Sequence, residues 1–228
     1  MEIKPIASSS KGNAYLISNF QTTVLIECGI PLKELKRKTN FIVPSVIDAC
    51  LISHEHGDHS KSLKDLLNAG VRCYALKEVF EAKEINNHHR AKRIKHLKQI
   101  DIGTFKIIPL EMNHDVPCVG FLIYSVVTNE KLLFATDTYM IKYAFHGLDY
   151  IMIEANYDIE LVEEDTQRKR LIQSHMSIDT TIQYLKSIDL NTVKKIYLMH
   201  LSSRHSNEED FKRRVQAATG KVVEVCGE

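Results

Sequence analysis

The segment Ser53-His54-Glu55-His56-Gly57-Asp58-His59 is the strongest constraint on how this chain can fold. It sets four metal-binding side chains, His54, His56, Asp58 and His59, within six positions. Chance composition would produce such a run in a chain of this length roughly once in a thousand. The segment follows the apolar run Cys50–Ile52 and precedes a helical spacing of Leu63, Leu66 and Leu67. Alternate residues of an extended segment point the same way. His54, His56 and Asp58 therefore converge, and the turn into a helix starting near Ser60 swings His59 to a neighbouring point. Imidazole and carboxylate at this density suit zinc or another first-row divalent ion.

Four ligands from one loop do not comfortably serve two metals, so other segments must contribute. Three polar residues stand directly after apolar runs: His114 after Phe105–Met112, Asp137 after Leu132–Thr136, and His200 after Ile196–Met199. Each alone would read as an ordinary strand-end polar group. Beside the loop they read as further metal ligands.

The remaining pattern supplies the frame. Ala14–Ser18, Thr22–Glu27, Ala49–Ser53, Val71–Ala75, Phe105–Glu111, Val119–Val127, Leu132–Thr136, Tyr150–Ile153, Lys195–Met199 and Lys221–Val225 read as strands. Ser60–Ala69 reads as a helix stopped by Gly70, and Lys77 to Lys98 as partly helical. Ile178, Ile182, Leu185 and Ile188 form one helical stripe. Ser206 and Glu209 read as a capping box that opens a last helix ending at Gly220. No Pro/Gly/Ser-rich linker divides the chain, so residues 1–228 are expected to form one domain. The expected class is α/β, two mixed sheets packed together with helices outside.

Charge narrows the partners. Thirty Lys and Arg against 29 Asp and Glu leave a formal charge of +1, which weakens long nucleic acid as an obligatory partner. The basic run from His88 to Lys98 has five Lys or Arg and no acid. It could track phosphates, but as a solvated helix face it needs no partner. The most apolar window, Val116 to Val127, is too short for a membrane span. No secretion signal is visible, and the five cysteines are odd in number and widely spaced. Buried free thiols and a cytoplasmic location are expected.

His54-x-His56-x-Asp58-His59, then His114, Asp137 in Ala-Thr-Asp-Thr, and His200 in Met-His-Leu-Ser resemble the ordered motifs of the metallo-β-lactamase superfamily. The resemblance implies an αββα sandwich with two divalent metals at one edge, zinc by preference and manganese as the alternative. It assigns His54, His56 and His114 to one metal, Asp58, His59 and His200 to the other, and Asp137 as the bridge. The chain departs from the family at Glu27, where an Asp usually supports the ligand loop.

Two further segments point to phosphodiesters. Tyr150-Ile-Met-Ile-Glu154-Ala-Asn-Tyr and Ser174-His175-Met-Ser resemble motifs of tRNase Z and of WalJ/YycJ-type nucleases. His200-Leu-Ser-Ser-Arg-His resembles the terminal tRNase Z motif, and Ser8 to Tyr15 the start of the WalJ type. His175 precedes a helix whose N-terminus favours phosphate, and it can protonate a leaving oxygen. Glu154 would fix its tautomer, and Asp58 would orient the attacking water. The catalytic set is thus Asp58, His175 and Glu154. His205, Tyr139 and Tyr157 stand near the motifs as possible contacts to base or ribose.

The compact size and motif order resemble the phage anti-Pycsar phosphodiesterases, which cleave cyclic CMP and cyclic UMP. A cyclic mononucleotide is accordingly the favoured substrate. A WalJ-type DNA exonuclease or RNA-processing nuclease is the alternative, although the long arm of tRNase Z is missing. A metal-sequestering protein without turnover is a third reading. Relatives of the nuclease type often form homodimers, and the same is expected here.

Overall fold

In a computed structural model of the chain, residues 1–163 and 166–227 are described, with the backbone alone at 166 and 167. Thirteen strands among the described residues form two sheets. The first has six strands in the order β1 (Glu2–Ser9), β2 (Gly12–Ser18), β3 (Thr23–Ile26), β4 (Ala49–Leu51), β5 (Cys73–Ala75) and β6 (Ala91–Arg93). The second has seven. It runs from β13 (Val222–Val225) through β12 (Lys195–Met199), β11 (Tyr150–Glu154), β10 (Glu130–Ala135), β9 (Cys118–Ser125) and β8 (Phe105–Met112) to β7 (Ile100–Ile102). Both mix parallel and antiparallel pairs: β3 with β4 is parallel, β2 with β3 antiparallel, β11 with β12 parallel, β8 with β9 antiparallel.

The alternation of β8 explains the layering. Phe105 and Ile107 face the cluster between the sheets with Leu25, Leu51 and Phe134. Leu110 and Met112 belong to a second cluster with Ile151, Ile153, Ile178, Leu185 and Phe211, under the outer helices. Those helices are α6 (Ile178–Ser187) and α7 (Glu208–Thr219). On the other flank lie α1 (Leu32–Lys38), α2 (Gly57–Ser60), α3 (Leu63–Asn68) and α4 (Lys77–Ala82), and α5 (Thr166–Ser174) precedes α6. This is the αββα sandwich that the motifs imply. All five cysteines are buried and free. Among the described residues no helix is long and apolar enough to cross a membrane.

Three local expectations need correction. The helix expected from Ser60 begins at Gly57 as α2 and is interrupted before α3. Ser62 is responsible: its amide donates to the Cys28 carbonyl at 2.9 Å and its hydroxyl to the Ile30 carbonyl at 2.6 Å. Tertiary contacts there replace the helical ladder. The basic run is not a helix face either. It forms the edge strand β6 with flanking turns, where exposed Lys92 and Arg93 guard an open edge. The cap of α7 is Asn207, whose side chain accepts from the Asp210 amide at 3.0 Å, so the Ser206–Glu209 box is one residue out of place. His175 precedes α6 as expected, two residues before the cap Ser177.

Candidate metal centre

Every residue assigned to the metals from the sequence arrives at one edge of the sandwich. The loop 53–59 leaves the end of β4. His114 and Asp137 lie two residues past β8 and β10, and His200 directly follows β12. The donor atoms fall into groups whose members all lie within 4.8 Å of one another. One comprises His54, His56, His114 and Asp137, a second Asp58, His59 and His200, and a third Asp137, Glu154, His175 and His200. The first two reproduce the two expected ligand sets, with Asp137 reaching both. Its Oδ2 stands 3.6 Å from His54 Nε2 and 3.4 Å from His59 Nε2, and its Oδ1 stands 3.3 Å from His200 Nδ1.

Backbone strain aims these groups. Glu27, Asp137 and His200 have φ of 63°, 48° and 55°, left-handed values that a side chain ordinarily avoids. The outer partners hold the rings. Ser53 Oγ lies 2.8 Å from His54 Nδ1, and the Ser174 carbonyl accepts from His114 Nδ1 at 2.9 Å. Glu27 is fully buried; both of its oxygens accept from the Ser53 amide at 3.3 Å, and Oε1 is 3.5 Å from His59 Nδ1. The longer side chain thus still reaches the ligand loop. Sequence reasoning missed the amides of Asn13 and Asn156, which stand 3.2 Å from His59 Nε2 and His200 Nδ1.

The donor set fits divalent cations. His54 Nε2 is buried without a hydrogen-bond partner among the described residues and faces the Asp137 carboxylate. A buried nitrogen left so is costly, and a cation between imidazole and carboxylate satisfies both. Burial alone would raise the Asp137 carboxyl, but His200 and His59 outweigh it and hold it well below the usual range. Burial would lower His200; Asp137, Asp58 and Glu154 push it up to about 10 instead. Burial and the neighbouring His59 keep His54 well below the ordinary value. The carboxylates call for positive charge, which divalent cations can supply while displacing protons from the imidazoles.

Glu154 and His175 meet beside this edge. Glu154 is fully buried, with Oε1 at 2.6 Å from His175 Nδ1 and 3.1 Å from His200 Nδ1. The Thr138 amide donates to its other oxygen at 3.1 Å. Burial would lower His175, but Glu154 raises it above its ordinary value. A cleft of about 650 Å³ opens over the donors. His56, Asp58, Asp137, His175 and His200 line its floor, and Arg168, Arg170, Arg204 and His205 its walls. Of the other two candidates, Tyr157 is buried and Tyr139 is exposed, and neither lines the cleft.

Residues 22–201 match the model of the beta-lactamase superfamily domain. The chain belongs to the metallo-β-lactamase superfamily. It is 29% identical to exodeoxyribonuclease WalJ of Streptococcus pneumoniae serotype 2 (strain D39 / NCTC 7466), over 90% of this chain and 82% of the relative. It is 24% identical to exodeoxyribonuclease YycJ of Bacillus anthracis, over 97% and 89% of the two chains. Its fold matches the metallo-β-lactamase fold protein YhfI of Bacillus subtilis with a TM-score of 0.76, at 16% identity, covering 99% of this chain and 97% of the other.

Proposed function

We propose that this chain is a metal-dependent phosphodiester hydrolase whose substrate is the end of a DNA strand. The observation that carries the reaction is the pair of buried Glu154 and half-buried His175 set against the clustered donors. The choice of DNA is supported by the two exodeoxyribonuclease relatives.

In this reading His54, His56 and His114 would hold one cation and Asp58, His59 and His200 a second, with the Asp137 carboxylate within reach of both donor groups. Two divalent ions, zinc by preference and manganese as the alternative, would lower the pKa of water and offset charge on the phosphoryl group. Asp58 is fixed by His200 and His59 at 3.3 and 3.4 Å, while its side chain keeps 23% of its surface open to the cleft. It can accept a hydrogen bond from the attacking water and set its direction. His175 spends Nδ1 on Glu154, which leaves Nε2 to donate a proton to the departing alkoxide. Glu154 keeps that imidazole charged and oriented.

A second reading, hydrolysis of a cyclic mononucleotide, is favoured by one observation. None of the five Lys and Arg between His88 and Lys98 lines the cleft, so that basic run gives a long strand no track into the site. A hydrolysis panel with added zinc or manganese decides the order. It compares cyclic CMP, UMP, AMP and GMP with single- and double-stranded DNA and RNA. Release of mononucleotides from DNA is expected. Ring opening without digestion of DNA would reverse the order. A metal-loaded protein that cleaves no phosphodiester would overturn both and leave the sequestering reading.

A further inference from the structure

The cleft holds more cationic surface than the donor edge uses, and α5 supplies it. Arg170 projects from α5 with 72% of its side chain exposed. Its Nε and one terminal nitrogen reach Asp115 Oδ2 at 3.1 and 2.7 Å. The other oxygen of Asp115 stands 3.1 Å from His114 Nε2 and 3.5 Å from His56 Nε2. One carboxylate therefore separates the guanidinium from the donor group. Arg168, half-buried on the same helix, donates to the Val162 carbonyl at 3.4 Å and lines the same cleft. Arg204 faces them from the loop after β12, its guanidinium without a hydrogen-bond or ion-pair partner among the described residues. Glu163 is the one carboxylate lining the cleft, among the described residues, outside the donor edge and its Glu154 support.

We propose that Arg168 and Arg170 form an anion subsite that holds a second phosphate of the substrate, next to the one hydrolysed at the donor edge. The placement explains the choice. Asp115 stands between Arg170 and the His114 and His56 nitrogens, so the guanidinium is set one carboxylate away from the donor group. An exposed Arg–carboxylate pair is weak; here both guanidinium nitrogens share one Asp115 oxygen, whereas a phosphate offers them two oxygens and more charge. Arg170 can therefore pass from Asp115 to an incoming phosphate. A cyclic mononucleotide has one phosphate and would leave this wall unfilled, whereas a strand end has a neighbouring one. The inference rests on the phosphodiesterase reading of the site and narrows its substrate to molecules with at least two phosphates.

The test uses thymidine dinucleotides whose internal linkage is a methylphosphonate, which resists hydrolysis. They carry a 5′-phosphate, a 3′-phosphate or neither. Calorimetric Kd values are measured for the metal-loaded wild type, Arg170→Ala and Arg170→Lys. In the wild type one of the two terminal phosphates is expected to tighten binding at least tenfold. Arg170→Ala should remove most of that gain, and Arg170→Lys should keep part of it. Equal binding of all three ligands by the wild type would overturn the subsite, as would a gain that survives intact in Arg170→Ala. Binding is read without turnover. A protein that shows the gain yet cleaves no phosphodiester would therefore sink the catalytic reading and leave the subsite standing.

Discussion

Gly29 offers a sharp test of how the donor edge is built. It lies two residues after Glu27, where the chain leaves β3 and presses against the ligand loop. Its amide donates to the Asn13 carbonyl at 2.8 Å, and the adjacent Cys28 amide donates to the His59 carbonyl at 2.8 Å. A Cβ on Gly29 would overlap the Asp58 carbonyl and stand 2.8 Å from the Asn13 nitrogen. That Cβ would stand 1.6 Å from the Asp58 carbonyl oxygen; ordinary contact needs about 3.5 Å, so in Gly29→Ala the loop must withdraw by about 2 Å. Overpacking of this kind costs about 1–3 kcal/mol, which a protein stable by roughly 5–15 kcal/mol survives. At about 2–4 °C per kcal/mol for this size, Tm should fall by about 2–12 °C.

Function should suffer far more than stability. Asp58 and His59 are two of the three donors of one group and belong to the displaced loop. Misplacement of about 1 Å can cost a factor of about 100 in rate. Gly29→Ala should therefore keep its circular dichroism, lose about half of its bound metal by elemental analysis, and lose at least about 100-fold in kcat/KM. Gly57 is the matched control in the same loop, since a Cβ there meets nothing within 4 Å. Gly57→Ala should stay near wild type in metal content and Tm. If Gly29→Ala retained full metal stoichiometry and near-normal turnover, the close approach would not be what holds the donors in place.

Alanine at Asp58 or Asp137 should abolish hydrolysis of bis-p-nitrophenyl phosphate; substantial turnover in either metal-replete variant would refute its assigned role. His175→Ala should cut kcat by about 10²–10⁴ with metal content unchanged. If it instead emptied the site, His175 would be a ligand, as the third donor group geometrically allows. Glu130 gives a pH prediction away from the site. Burial would raise its carboxyl, but Lys194 at 2.7 Å outweighs this and holds it at about 2. The folded value is depressed, so the stabilisation is present above the unfolded carboxylate range and fades as pH falls toward 2. Urea midpoints of wild type and Glu130→Gln should differ at pH 7 and converge near pH 2; a constant gap would refute the linkage.

The site was more legible than the frame because it is written in rare residue types at strand ends. His54 to His59 is local, and His114, Asp137 and His200 each follow an apolar run that the second sheet needs anyway. The Glu2–Ser9 strand escaped because Pro5 and its polar residues break the alternation, which only an edge position tolerates. The α5 segment has a weak apolar stripe, and its key contact, Arg170 with Asp115, joins residues 55 apart. No short window reveals such a pair. The shifted cap of α7 has a simpler cause: Ser206 and Asn207 are both good caps, and local preference does not choose between neighbours.

Substrate choice is harder to read than chemistry for a physical reason. Glu27, Asp137 and His200 accept a left-handed backbone at or just beyond strand ends, a conformation that costs of order 1–3 kcal/mol apiece. Two packed sheets with a continuous core over-determine those positions, so the donors can be strained into place and their identities stand out. The cleft walls have no such support. Arg168 and Arg170 come from one short helix and Arg204 from a loop, outside the two sheets. The metal donors are thus placed by the sheet frame itself. On the proposed reading, selection between a cyclic mononucleotide and a strand end would fall to the arginines of the cleft wall. If the subsite holds, Arg170→Ala should leave every donor in place and weaken only the binding of a second phosphate.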